Sequence, residues 1–114
     1  MRLSDKERLK KIVKLWSDLK TQLNQHNITK EKLLNDQFSQ WAVTTPIYNI
    51  GEQVYKISVE FKENHQDLPW SKVSGLRHRL FHEYDEINWT LIADIVFRDM
   101  ETFVNSVEEL LNNM

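Results

Sequence analysis

The chain has 114 residues, of which 40% are apolar and 28% charged, with no cysteine and a formal net charge of −2. That length holds one domain with a single modest core, and the composition excludes disordered and collagen-like classes, disulfides and thiolate metal sites. No apolar run approaches the roughly 18 residues of a membrane span, and the start MRLSDKERLKK lacks the apolar stretch of a signal peptide, so the expected location is the cytoplasm.

From Ser4 to about Gln25, Leu9, Ile12, Val13, Trp16, Leu19 and Leu23 recur at three- and four-residue steps with lysines between them, which predicts an amphipathic helix. Ser4 is its expected N-cap, and Glu7 three residues later completes a capping box. Thr29 then caps a short helix from Lys30 to about Leu34. A longer helical segment is expected from Asp36 to about Asn64, carrying Phe38, Trp41, Ala42, Tyr48, Val54, Tyr55 and Phe61. Pro46 lies inside it, removing a backbone donor and crowding the preceding turn, so a kink or a restart capped by Thr45 is predicted there.

The stretch NHQDLPW reads as a loop, with Pro69 opening a helix that runs to about Glu83. Asn88 caps the last helix, in which Leu91, Ile92, Ile95, Val96, Phe103, Val107 and Leu110 form the buried stripe. With two glycines and two prolines in the chain, a fold of many short strands is disfavoured. The expectation is an all-α, up-down bundle of four main helices plus one short helix, forming a single domain over residues 1–114. Charge is polarised along it: residues 1–35 carry a balance of +5 and residues 85–114 a balance of −6. Such polarity either pairs the two ends inside the fold or presents a basic face to RNA.

The helix around SGLRHRLFHEY holds the main anomaly. Wound at about 100° per residue from Val73, it places Leu76, Leu80, Tyr84 and Phe81 in one buried arc, with Arg77 near about 40° inside that arc. His78 and His82 fall at roughly 140° and 180°, together on another flank. A guanidinium cannot shed its charge, so Arg77 has to meet a carboxylate such as Glu52, a phosphate, or water at a seam. His78 and His82 read as a polar flank with an i,i+4 contact. As metal ligands they lack an intervening HExxH glutamate and any evident third ligand, so no metal site is expected.

GLRHRLFHEY resembles the signature of the HEPN domain family (higher eukaryotes and prokaryotes nucleotide-binding): an arginine, a polar Asn, Asp or His, and a histidine after a short spacer. The tyrosine two places further on, giving Arg77-x4-His82-x-Tyr84, is similar to the HepT-like toxin branch, and DQFSQWAV, NIGEQVYKIS, LPWSKVSGLR and INWTLIADIVFRDM occupy corresponding positions. The resemblance implies a HEPN-like helical bundle forming a two-fold dimer. It also implies a metal-independent RNA endonuclease that needs no cofactor and acts on RNA rather than DNA.

Such a protein is the toxin of a type VII-like toxin-antitoxin pair, neutralised by a minimal nucleotidyltransferase. Arg77 and His82 would be the catalytic pair, His78 the polar motif position and Tyr84 the acceptor of AMP. Two features depart from the family. Glu83 stands where glycine is common and puts a carboxylate beside His82, and Pro46 falls where relatives run an uninterrupted helix. A non-catalytic subunit that binds substrate or partners a nucleotidyltransferase is the alternative reading.

Overall fold

A computed structural model of the chain describes residues 3–82 and 86–114, with His82 described through its backbone. The elements are helices throughout the described residues. The first, α1 (Asp5–Gln25), starts as its sequence dictates: Ser4 Oγ accepts from the Glu7 amide at 3.1 Å, while the Glu7 carboxylate accepts from the Ser4 amide at 3.3 Å. Its three- and four-residue spacing buries Leu9, Ile12, Trp16, Leu19 and Leu23 on one face. It ends on a Schellman motif. Asn27 adopts a left-handed φ of 51°, Ile28 N–H donates to the Leu23 carbonyl at 2.8 Å, and Asn27 N–H donates to that of Asn24 at 3.3 Å. Asparagine tolerates this conformation better than most residues, and the motif's apolar contact is supplied by Ile28 and Leu23, both buried.

Thr29 caps α2 (Lys30–Asn35) through the Lys32 amide. Asp36 caps α3 (Gln37–Lys56), accepting from both the amide and the hydroxyl of Ser39 at 3.1 and 2.6 Å. Of the two outcomes expected at Pro46, a kink or a restart capped by Thr45, the restart does not occur: the helix continues through Pro46 and the break comes eleven residues later. The turns before and after Pro46 are held by the buried face of Val43, Ile47, Ile50 and Val54, whose packing outweighs one lost backbone bond. Ser58 starts a separate helix, α4 (Val59–Glu63), because the Asp5 carboxylate takes its amide at 2.9 Å and its hydroxyl at 2.6 Å. The single segment expected over residues 36–64 is therefore two helices, the second set by a contact from the start of α1.

Pro69 precedes α5 (Trp70–His82), and the Trp70 indole N–H donates to the His65 carbonyl at 2.8 Å. Asn88 caps α6 (Trp89–Asp94), as expected, through the Leu91 amide. A π-helical turn over Ile95–Asp99 then joins α6 to α7 (Met100–Asn112), so the last long helix is continuous but locally widened. Counted over the described residues, four long helical units and two short helices replace the expected four and one.

The layer order follows from the packing. α3 lies between α5, its most extensive neighbour, and α1, while α1 also packs on α7. Phe103, with Leu9, Ile12, Ile47, Ile50, Leu76 and Met100, is fully enclosed where these helices meet. Part of the charge polarity is consumed inside the fold. Lys20 and the Trp16 indole both donate to Glu101, and Lys30 pairs with Asp94. No helix among the described residues is long and apolar enough to cross a membrane.

Candidate active site

The site is built on the line where α3 and α5 meet. α5 turns Val73, Leu76 and Leu80 into the core, all nearly or wholly enclosed, so the contact arc centres on these three residues. Arg77 falls at its rim, with 29% of its side chain exposed. Phe81, expected within the buried arc, is instead 66% exposed. It follows Leu80 directly and so points about 100° around the helix from it, and its ring stands 6.1 Å from that of Tyr48.

Close approach of the two helices is permitted by Gly51. A Cβ at that position would lie 2.9 Å from the Arg77 amide nitrogen and 3.2 Å from the Val73 carbonyl oxygen. With hydrogen there, the α3 backbone sits directly against the turn that carries Arg77.

The next residue supplies the counter-charge. Arg77 Nε donates to Glu52 Oε2 at 3.0 Å, and the guanidinium carbon lies 4.0 Å from the centroid of the Tyr55 ring. Glu52 thus emerges as the acid that Arg77 meets. Burial pushes the Glu52 carboxyl upward, but hydrogen bonds from Arg77 and Tyr48, with the charges of Arg77 and Lys56, outweigh it and hold the group below its ordinary value. The hydrogen bond to Glu52 in turn raises Arg77 above its ordinary value.

The sign for Glu52 follows from that depression. Its contribution to stability is complete above the model-peptide carboxyl value of 4.5 and is lost as pH falls through its lower folded value. NMR titration of Glu52 should give a midpoint below 4.5, and Glu52→Gln should remove this component of acid unfolding. A midpoint at or above 4.5 would mean that the pair does not hold in solution.

Tyr48, Glu52 and Tyr55 follow one another at four and three residues along the solvent edge of α3, so a single stripe carries the whole environment of Arg77. That spacing is the signal by which Tyr48 and Tyr55 could have been assigned to the site from sequence alone. Toward the start of α3, Phe38 and Trp41 are 79% and 58% exposed with their rings packed edge to face, an aromatic pair 14 and 11 residues before Glu52. Of the sequence-predicted residues, Arg77 sits at the rim and His78 is exposed on α5. His82 is the last residue of that helix, five positions after Arg77. Tyr84 and Glu83 lie outside the described residues.

Residues 6–110 match the family described as Ribonuclease HepT-like. The chain belongs to the ribonuclease HepT-like family. Its relatives include a candidate RNase of Caldanaerobacter subterraneus subsp. tengcongensis, 30% identical over 84 residues that span 74% of this chain and 75% of that protein. A candidate RNase of Methanocaldococcus jannaschii is 29% identical over 78% of this chain and 74% of its own. A protein of Thermococcus cleftensis named for ribonuclease HepT is 29% identical over 70% and 73%. No solved structure matches the chain. For a HepT-like protein, the all-helical bundle is the expected architecture.

Proposed function

We propose that this HepT-like chain is a metal-independent RNA endonuclease, the toxin of a type VII-like toxin-antitoxin pair. The observation that carries the reading is the half-open Arg77 guanidinium. It is oriented by Glu52 and Tyr55 yet still reaches solvent, and its recorded hydrogen bond uses one of its five N–H donors. A permanently charged planar fork, held in place at a surface beside exposed aromatic rings, suits a phosphodiester.

In this reading His82 removes the proton from the ribose 2′-hydroxyl. The 2′-oxygen forms its bond to phosphorus, the bond to the 5′-oxygen breaks, and that oxygen takes up a proton as it leaves. The products are a 2′,3′-cyclic phosphate and a 5′-hydroxyl. Arg77 steadies the charge that grows on the non-bridging oxygens. A regular helix points residues 77 and 82 about 140° apart, so one α5 is a poor centre by itself. Two copies meeting across a two-fold axis complete it, and the exposed Phe81 and Tyr55 beside Arg77 support that seam.

Tyr84 serves as the off-switch. Its phenolic oxygen attacks the α-phosphorus of ATP held by a minimal nucleotidyltransferase, pyrophosphate leaves, and the phenolic proton passes to solvent. The AMP group then sets bulk and negative charge against incoming RNA.

Growth of bacteria expressing the unpartnered chain tests the nuclease. Toxicity that His82→Ala removes, with cleavage of RNA in the presence of a chelator, supports it; equal toxicity of the variant would exclude His82 as the base. Incubation with the partner nucleotidyltransferase and ATP should yield an AMP adduct on Tyr84 by mass spectrometry, absent from Tyr84→Phe. The second reading is a non-catalytic subunit that binds substrate or the nucleotidyltransferase. The Glu52 carboxylate already on Arg77 favours it, as does Glu83 next to His82 in sequence. Binding of RNA without cleavage by the dimer would select it.

A further inference from the structure

A second cationic site lies beside the first and shares a tyrosine with it. Arg8 of α1 is 9% exposed, and its recorded hydrogen bond is from Nη1 to the neutral Gln53 amide oxygen at 3.0 Å. A largely buried arginine whose hydrogen-bond partner is neutral keeps further N–H donors and its full charge for an anion. Arg8 lines an open concavity of 450 Å³ together with Tyr55, Lys56, Ile57, Ser58 and Val59. Tyr55 is the ring that carries Arg77 on it.

Lys62 reaches the Tyr55 carbonyl at 3.3 Å, and its ammonium is lowered by burial, with Asp5 acting the other way. The acids nearby are committed. Asp5 accepts the Ser58 amide and hydroxyl, and Glu52 accepts Arg77 at 3.0 Å with Lys56 at 3.6 Å. Arg77 lies on the Tyr55 ring, Lys62 reaches the Tyr55 carbonyl, and Arg8 and Lys56 line the concavity beside Tyr55.

We infer that Arg8 and Lys56 form a second phosphate subsite. It holds the RNA backbone one or more nucleotides away from the phosphate at Arg77, with Tyr55 as the wall between them. The assignment rests on the RNA-cleavage reading above and deepens it: the substrate is a single strand whose path crosses the end of α3 toward α4. A single strand suits the arrangement because adjacent phosphates of a flexible backbone can settle into two pockets on either side of one aromatic ring.

The test uses the full-length protein and a short 2′-O-methyl RNA, which binds without being cut. Dissociation constants are measured over a series of salt concentrations for the unaltered protein and for Lys56→Gln, Arg8→Gln, Arg8→Lys and Arg77→Gln. Lys56→Gln and Arg8→Gln are expected to weaken binding by about fivefold or more. Each should reduce the slope of log affinity against log salt by about 0.7, the value for one phosphate contact on a single strand. Arg8→Lys should restore most of the slope.

Lys56 is exposed on the end of α3, so its variant reads the subsite even if loss of the Arg8 guanidinium perturbs packing. Weakening by Arg77→Gln with no change from Lys56→Gln and Arg8→Gln would overturn the subsite and leave the nuclease reading intact. Failure of the unaltered protein to bind the RNA would overturn both. Shifts of the Ser58 and Val59 amides with inorganic phosphate, but none with RNA, would assign the pocket to a free anion and overturn the backbone subsite.

Discussion

Arg77→Ala is expected to lower the rate of RNA cleavage by about 10²–10³-fold, the usual loss when one preorganised donor to a developing phosphate charge is removed. The fold should persist. Glu52, which loses its main partner, keeps Lys56 at 3.6 Å, and its side chain is 19% exposed, so its charge is not stranded. Arg77→Lys should lose most of the activity as well. An ammonium is a point charge that cannot bond Glu52 through one edge while offering a planar fork to phosphate, and it stacks less well on Tyr55. Single-turnover cleavage of a labelled RNA, with circular dichroism to confirm folding, measures both. Full activity of Arg77→Ala would remove the arginine from the chemistry and leave its pair with Glu52 as a strut between α3 and α5.

The two glycines should respond to alanine with opposite signs. Both sit inside helices, where alanine is ordinarily favoured by about 1 kcal/mol. Around Gly75 nothing lies within 4 Å of an added Cβ, so Gly75→Ala should stabilise the protein by about 0.5–1 kcal/mol. At Gly51 the added atom meets the backbone of α5 at 2.9 and 3.2 Å, and backbone does not swing aside as a side-chain tip does. Gly51→Ala should destabilise by about 1–3 kcal/mol as α3 and α5 are forced apart, and larger residues by more. Urea denaturation of the two variants against the unaltered chain reads the difference. Because Arg77 lies on the displaced turn, Gly51→Ala should also weaken its bond to Glu52, seen as a rise of the Glu52 midpoint toward 4.5. A stable Gly51→Ala with an unshifted Glu52 would show that the two helices are not held at this separation.

Much of the fold was legible because its signals are local. The capping box at Ser4, the caps at Thr29 and Asn88, and the apolar periodicity of α1 and of the last helix each depend on residues within about one turn of one another. The motif helix was legible for the same reason, as was the candidacy of Glu52 as a partner of Arg77, whereas the place of Arg77 at the rim of the contact rather than inside the apolar arc was set by packing. That Pro46 does not end the helix was not legible, because a proline's local cost is offset by packing that the sequence does not display. Phe38, Trp41 and Tyr55 fit a helical pattern as well as buried residues do, and hydrophobicity alone does not tell a core face from a surface face left open.

By itself, then, the sequence determined the helical class, most helix starts, the core stripe of α1 and the placing of Arg77 and His82 on one helix. Hydrogen-bonded caps and 3.6-residue periodicity act over a handful of neighbours and need no knowledge of the rest of the chain. Tertiary structure alone decided that Asp5 ends the long third helix by capturing Ser58, that Gly51 is a close contact between α3 and α5, and that Tyr55 carries Arg77 while lining one concavity with the buried Arg8. Those outcomes join residues that are 53, 26, 22 and 47 positions apart in the sequence. Which of many chemically suitable partners meet at such separations is fixed when helices close on a common core, where side-chain volume and burial rather than adjacency set the distances.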